Sequence, residues 1–233
     1  MSRTMLACWI VAAGTLAIVL SPVVDARADA SFAWHMVQHL ALVFIVAPAL
    51  VAARPFQVFT AVASKPVVAR TVRATRWTHG LAHPAVALFV FVAVMWATHF
   101  SGLYELALEH TWVHAAEHAL YLIAGVLFWL PVFAAPPLRP LAYPARLLYL
   151  FVALPQGALL ALALSGARHV LYPHYASVSG VATALADQSN AAAVMWIGGG
   201  LVTFVAFLVT LSVWAVRETP EESRAGNTSV RRA

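Results

Sequence analysis

The chain has 233 residues, of which 62% are hydrophobic and only 10% are charged, with a formal net charge of +5 at pH 7. This composition lies outside the range of soluble domains and indicates an all-α protein that crosses a lipid bilayer several times. The basic residues lie in short gaps between apolar runs, a pattern typical of membrane orientation that argues against nucleic acid as a partner. Because Cys8 is the single cysteine, a metal here has to be held by His, Met or carboxylate side chains.

The apolar runs predict one domain of six transmembrane helices, over about residues 5–24, 32–53, 82–100, 111–133, 147–167 and 190–216. The polar and charged residues 217–233 are predicted to form a disordered tail. The first run, Met5 to Val24, also fits a secretory signal peptide, with small residues at 26, 28 and 30 that resemble a cleavage site. Its length exceeds the apolar core of roughly 7–15 residues in a signal peptide, which favours a retained helix.

The connections between the spans differ in length and charge. Pro48 indicates a kink in the second span. The basic gap that follows, around Lys65 to Trp77, fits either a helix on the membrane surface or a solvated loop. A short connection from His99 to His110 joins the third and fourth spans. A longer polar loop between the fifth and sixth spans is expected to contain Arg168, His169, His174 and Asp187.

The distribution of basic residues predicts the orientation. Twelve of the 14 Lys and Arg residues fall on one side of this arrangement, and only Arg27 and Arg168 fall on the other. The positive-inside rule therefore places both termini in the cytoplasm, with tryptophans forming a belt at each interface. With this topology eight of the 10 histidines, all but His79 and His83, lie outside or in the outer leaflet.

The histidines of the second and fourth spans form two pairs. His35 and His39 are four residues apart, as are His114 and His118, so each pair points from one face of its helix. At a rise of about 1.5 Å per residue, both pairs lie within two turns of their helix entrances and at a common depth, together with His99. Ionisable groups inside a membrane are costly and indicate a functional site. The sequence predicts one metal site formed by His35, His39, His99, His114 and His118.

Several other residues are weaker candidates for this site. Met36 and Met195 are interpreted first as core residues, because methionine is common in apolar helices. Asp187 fits a loop residue or a ligand support equally well. Glu117 lies near His114 and His118 on the fourth span. His110, His169 and His174 are interpreted as hydrogen-bonded or headgroup-facing side chains. Imidazole with optional thioether and no thiolate fits copper, especially Cu(I), while zinc and haem stay open.

The order of these motifs resembles that of a known family. The chain has WHMVQH at 34–39, HFSGLY at 99–104, HAAEH at 114–118, DQ at 187–188 and MW at 195–196. From about Gly14 to Trp214 it resembles the CtaG-type (caa3_CtaG) cytochrome c oxidase assembly factors, although Ser101 stands where the family has a proline and Ala192 where it has a glycine. The matching positions are His35, His39, His99, Tyr104, His114, His118, Asp187 and Met195. The resemblance implies copper delivery to the large subunit of a haem-copper oxidase, supplied by a periplasmic copper donor, and no enzymatic activity.

Three other functions compete with this interpretation. His114 to His118 reads H-x-x-E-H, the zinc-protease pattern in which Glu117 is the general base, but no polar cleft for a hydrated peptide is evident. Histidines from two facing helices also fit both axial positions of a haem in an electron carrier. Copper transport requires a route across the bilayer, and no ladder of acidic residues or methionines continues inward from the histidines.

Overall fold

The computed structural model describes residues 2–74, 78–134 and 138–230, and this part of the chain contains helices and no strand. The prediction of an all-α fold is therefore confirmed. The helices, in chain order, are α1 (Arg3–Val19), α2 (Pro22–Ala30), α3 (Phe32–Ala41), α4 (Ala47–Ala52), α5 (Pro55–Val62), α6 (Lys65–Ala74), α7 (Thr78–Leu81), α8 (Pro84–His99), α9 (Leu103–Glu109), α10 (Thr111–Phe133), α11 (Tyr143–Gly166), α12 (Pro173–Ser179) and α13 (Val181–Val230).

Four stretches of the described chain are long and apolar enough to cross a membrane: Phe32–Val62, Thr111–Phe133, Tyr143–Gly166 and Val181–Glu218. Two bent pairs have the same property if each pair is taken as one span. The bend is 55° between α1 and α2 and 63° between α8 and α9. The fold thus provides four spans, or up to six, and the count of six remains a prediction.

The second span is irregular near Pro48, where the sequence predicts a kink. A π-helical turn, Leu42–Val46, separates α3 from α4, and the Ala47 N–H donates to the carbonyl of Leu42 instead of Val43. Pro48 has no N–H, so the Val43 carbonyl lacks a main-chain donor. The indole N–H of Trp129 on α10 donates to that carbonyl at 2.9 Å. This bond ties α10 to the helix that carries His35 and His39.

Close backbone packing strengthens the same contact. A Cβ on Gly125 of α10 would lie 3.0 Å from the Ala47 Cβ and 3.1 Å from the Val43 Cα. Glycine at this position therefore lets α10 approach the second span closely. One buried cluster, with Phe91, Phe128 and Trp129, lies around this contact. A second buried cluster, with Phe32, Met36, Tyr104, Tyr175 and Met195, surrounds the histidines.

Helix α5 belongs to the apolar stretch Phe32–Val62, and the basic gap after it contains α6, while Arg76 and Trp77 lie outside the described residues. The other connections differ from the sequence-based expectation in two places. The polar loop after the fifth span contains α12 and ends at Gly180, whose φ of 82° suits glycine. Because α13 already begins at Val181, the expectation that Asp187 lies in a loop is wrong. The tail expected to be disordered is helical as far as Val230, and residues 231–233 lie outside the described chain.

Candidate metal centre

Four histidines from two helices meet between α3 and α10. The ligand atoms of His35, His39, His114 and His118 all lie within 4.8 Å of one another. The two helices face each other, so that the ring centroids of His35 and His114 are 4.9 Å apart and those of His39 and His118 are 5.3 Å apart. This four-histidine cluster contains four of the five residues that the sequence predicts as ligands.

The nitrogens of the four-histidine cluster are poorly satisfied by the protein. His39 Nδ1, His114 Nε2 and His118 Nε2 are buried and have no hydrogen-bond partner. His35 Nε2 lies 3.1 Å from His39 Nε2. A buried polar atom without a partner costs about 1–3 kcal/mol. A metal ion among these nitrogens would remove that cost, so the residues present fit a cation.

The tautomer of His35 is fixed by Tyr175. The Tyr175 hydroxyl donates its single proton to the Ala28 carbonyl at 3.1 Å, and it lies 3.1 Å from His35 Nδ1. The hydroxyl can therefore only accept from His35, which places the imidazole proton on Nδ1. His35 Nε2 is left with a free lone pair that points into the cluster. Polar partners of this kind orient histidine ligands and increase their basicity.

Glu117 places a buried carboxyl group beside the cluster. Its side chain is buried, with 2% of the residue exposed, and neither carboxylate oxygen has a hydrogen-bond partner. One oxygen lies 3.8 Å from His39 Nε2. A buried carboxylate is costly unless a positive charge is near. A cation held by the four histidines would supply that charge.

His99 lies next to the four-histidine cluster but is not part of it. Its Nδ1 is 2.7 Å from the carbonyl oxygen of Met95, one turn earlier on α8, and its Nε2 is 3.5 Å from Met36 Sδ. Tyr104 is fully buried and its ring lies 5.0 Å from the ring of His35 and 6.0 Å from that of His99. The sharing of one ion by all five histidines therefore remains a prediction.

Asp187 has a structural role at the start of α3. Its carboxylate accepts the Phe32 N–H at 2.6 Å and the Ser31 hydroxyl at 3.0 Å. It thus caps the helix that carries His35 and His39 and binds that helix to α13. Met195 packs in the buried cluster with Met36, while His110 is exposed at the junction of α9 and α10.

A cavity of about 300 Å³ reaches the four-histidine cluster. His35 and His114 line its inner end. Its other walls come from α2, the last turn of α9 and the first residue of α10, and they carry the carboxylates of Asp25, Asp29 and Glu109. Asp29 and Glu109 are exposed, so the cavity offers a cation an acidic path to the imidazoles.

Sequence reasoning missed Tyr175 and these three carboxylates. Tyr175 gave no signal, because nothing in the sequence distinguishes it from other tyrosines of a polar loop. The three carboxylates did give a signal in the sequence. The chain has only nine acidic residues, and Asp25, Asp29 and Glu109 directly flank the two spans that carry histidine pairs.

A family model described as cytochrome c oxidase caa3 assembly factor (Caa3_CtaG) matches residues 1–217. The chain belongs to the Caa3_CtaG family. The match covers every residue of the four-histidine cluster, His99, and the cavity that leads to them. The whole candidate metal centre therefore lies within the part of the chain that the family model matches.

Curated relatives of this Caa3_CtaG protein are found in mycobacteria. An uncharacterized protein of Mycobacterium bovis is 25% identical over 229 residues, which is 93% of this chain and 35% of the relative. An uncharacterized protein of Mycobacterium leprae is 24% identical over 223 residues, 90% of this chain and 34% of the relative. The chain thus spans about a third of the length of these relatives. No solved structure matches it significantly.

Proposed function

We propose that this Caa3_CtaG protein holds Cu(I) on the four-histidine cluster and delivers it to the large subunit of a haem-copper oxidase during assembly. The observation that carries the proposal is the meeting of four imidazoles with unpartnered nitrogens, in a chain whose family assembles cytochrome c oxidase. The protein acts as a metallochaperone of the bacterial inner membrane and not as an enzyme.

The ligand set and its charge favour Cu(I). Imidazole suits copper and zinc alike, but a soft thioether close by favours cuprous copper. Desolvating an ion costs more as its charge grows, so a buried site favours a monovalent cation over a divalent one. The buried carboxylate of Glu117 would bring the charge of a Cu(I)-loaded site to zero.

The geometry disfavours both a zinc hydrolase and a haem-binding electron carrier. In a zinc hydrolase three protein ligands leave one position for water, whereas here four imidazoles surround the same point. Glu117 is buried and does not line the cavity, so it is badly placed as a general base. In a haem carrier the porphyrin must lie between axial histidines of the two facing helices, whereas the ring centroids of His35 and His114 are only 4.9 Å apart.

The proposed direction of transfer begins outside the cell. The positive-inside rule places the histidine ends of the spans toward the periplasm, and the acidic cavity lies at those ends. A periplasmic donor would release copper there. The oxidase also holds its binuclear copper within the membrane, so the ion can pass laterally by exchange of one ligand at a time.

The test is the copper content of the oxidase made in a strain carrying His114→Ala and His118→Ala. The change makes α10 more apolar, so the protein should still insert into the membrane. We expect oxidase that contains its haems and lacks copper at the binuclear centre, with activity partly restored by excess copper. The matched control replaces His110 and His169, which are exposed, and should give normal oxidase. Copper-replete, fully active oxidase in the first strain, with copper scarce and no second assembly factor present, would overturn the proposal.

A further inference from the structure

The contact between His99 and Met36 contains no hydrogen atom. His99 Nδ1 lies 2.7 Å from the Met95 carbonyl oxygen, which can only accept, so Nδ1 carries the imidazole proton. In the neutral ring Nε2 then has only a lone pair. That lone pair faces Met36 Sδ at 3.5 Å, and a thioether sulfur also has no hydrogen to donate. Two electron-pair donors thus face each other inside the protein.

Both side chains are almost completely buried, with 3% of His99 and 1% of Met36 exposed. The neutral form of His99 is favoured there, because burial disfavours a charged imidazole. A proton on His99 Nε2 therefore does not explain the contact. A soft monovalent cation bound by both the imidazole and the thioether explains it.

We propose that His99 and Met36 form a second Cu(I) site, separate from the four-histidine cluster. His99 Nε2 and Met36 Sδ, which lie 3.5 Å apart, would be the two protein atoms that hold this ion. The inference rests on the proposed function only in its choice of Cu(I) as the ion.

The position of this site suits transfer of an ion out of the four-histidine cluster. Met36 lies between His35 and His39 on α3, so the two sites share one helix. Met36 also belongs to the same buried cluster as Met195 of α13. An ion that moves from four imidazoles to one imidazole and one thioether passes to a weaker site, from which a partner can remove it.

The test is Cu(I) titration of the detergent-purified full chain under anaerobic conditions, combined with X-ray absorption at the copper edge. We expect the wild-type chain to bind two ions and to show sulfur among the copper ligands. Met36→Leu, a substitution that conserves volume, should bind one ion with nitrogen ligands alone. The control is Met195→Leu, which removes a thioether of the same buried cluster and should still bind two ions with sulfur present.

The result that overturns the inference is Met36→Leu with the same number of ions and the same sulfur signal as the wild type. His99→Gln provides a second variant with the same expected loss of one ion. The proposed function fails separately, if the wild-type chain binds no Cu(I) or if His114→Ala with His118→Ala leaves binding unchanged. A single wild-type ion that Met36→Leu holds with unchanged affinity contradicts the second site alone.

Discussion

The Tyr175 hydroxyl lies 3.1 Å from Nδ1 of His35, although 140 residues separate the two in the chain. The contact joins α12, a helix of seven residues, to the span that carries half of the four-histidine cluster. Because the hydroxyl proton is donated to Ala28, the tyrosine holds His35 in the tautomer that a metal requires. A tyrosine in the connection between two spans therefore determines which nitrogen of His35 carries the proton.

Tyr175→Phe should weaken copper binding without abolishing it. The ring keeps its packing, but His35 loses the acceptor that fixes its proton on Nδ1. Loss of such a partner typically costs about 10- to 100-fold in metal affinity. The measurement is competition for Cu(I) with a chromogenic chelator. Tyr149→Phe is the control, since it removes a buried hydroxyl bonded to the Phe128 carbonyl and should leave affinity unchanged.

Glu117→Gln tests whether the buried carboxylate compensates the charge of the ion. At an effective dielectric constant of about 20, a unit charge roughly 5 Å away is worth about 3 kcal/mol. We expect a loss of about 10- to 100-fold in Cu(I) affinity in the same chelator assay. Glu218→Gln changes an exposed carboxylate at the other end of α13 and is expected to have no effect. Equal Cu(I) affinities for both variants would show that the Glu117 carboxylate does not compensate the charge of the ion.

The carboxylates of the cavity should act on the rate of loading and not on the final affinity. Asp29→Asn with Glu109→Gln removes two exposed charges from the path to His114. Electrostatic steering changes association rates by about 10-fold or more at low salt. Rapid mixing with the acetonitrile complex of Cu(I), followed by a chelator quench, should show slower loading that depends less on ionic strength.

Blocking the cavity gives a steric version of the same test. In a Cys8→Ser background, Ala26→Cys places a thiol on the cavity wall, and Ala182→Cys places one on exposed α13 outside it. A bulky thiol reagent should slow copper loading only in the first protein. Equal loading rates in the two modified proteins would mean that the ion uses another path.

Orientation is tested by labelling intact cells with an impermeant thiol reagent, again in the Cys8→Ser background. Ser101→Cys, between α8 and α9, should react, and Thr228→Cys, near the C-terminal end, should not. The physical reason is the concentration of basic residues on the side of the C-terminus. The reverse pattern would place the acidic cavity on the cytoplasmic side.

Much of the site follows from spacing alone. His35 with His39 and His114 with His118 lie on single helix faces at a period of four, and the long apolar runs around them predict their helices without ambiguity. The separate position of His99 depends on the 63° bend after α8 and on the carbonyl of Met95, which no pattern encodes. The sequence favours a loop at Asp187 because residues 187–190, DQSN, are polar and follow the polar connection after the fifth span. Those polar residues bond α3 and the preceding loop, as the Asp187 bond to Phe32 and the Gln188 bond to Leu171 show.

The most direct test of the account is metal analysis of the purified protein after Cu(I) loading, for the wild type and for two double variants. One variant is His35→Ala with His39→Ala, and the other is His114→Ala with His118→Ala. If the four histidines hold one ion together, either double variant should bind one ion fewer than the wild type, with no partial site left in the cluster and only the ion proposed at His99 and Met36 retained. Retention of the cluster's ion at unchanged affinity in either variant would show that α3 and α10 do not share it, and would contradict the account.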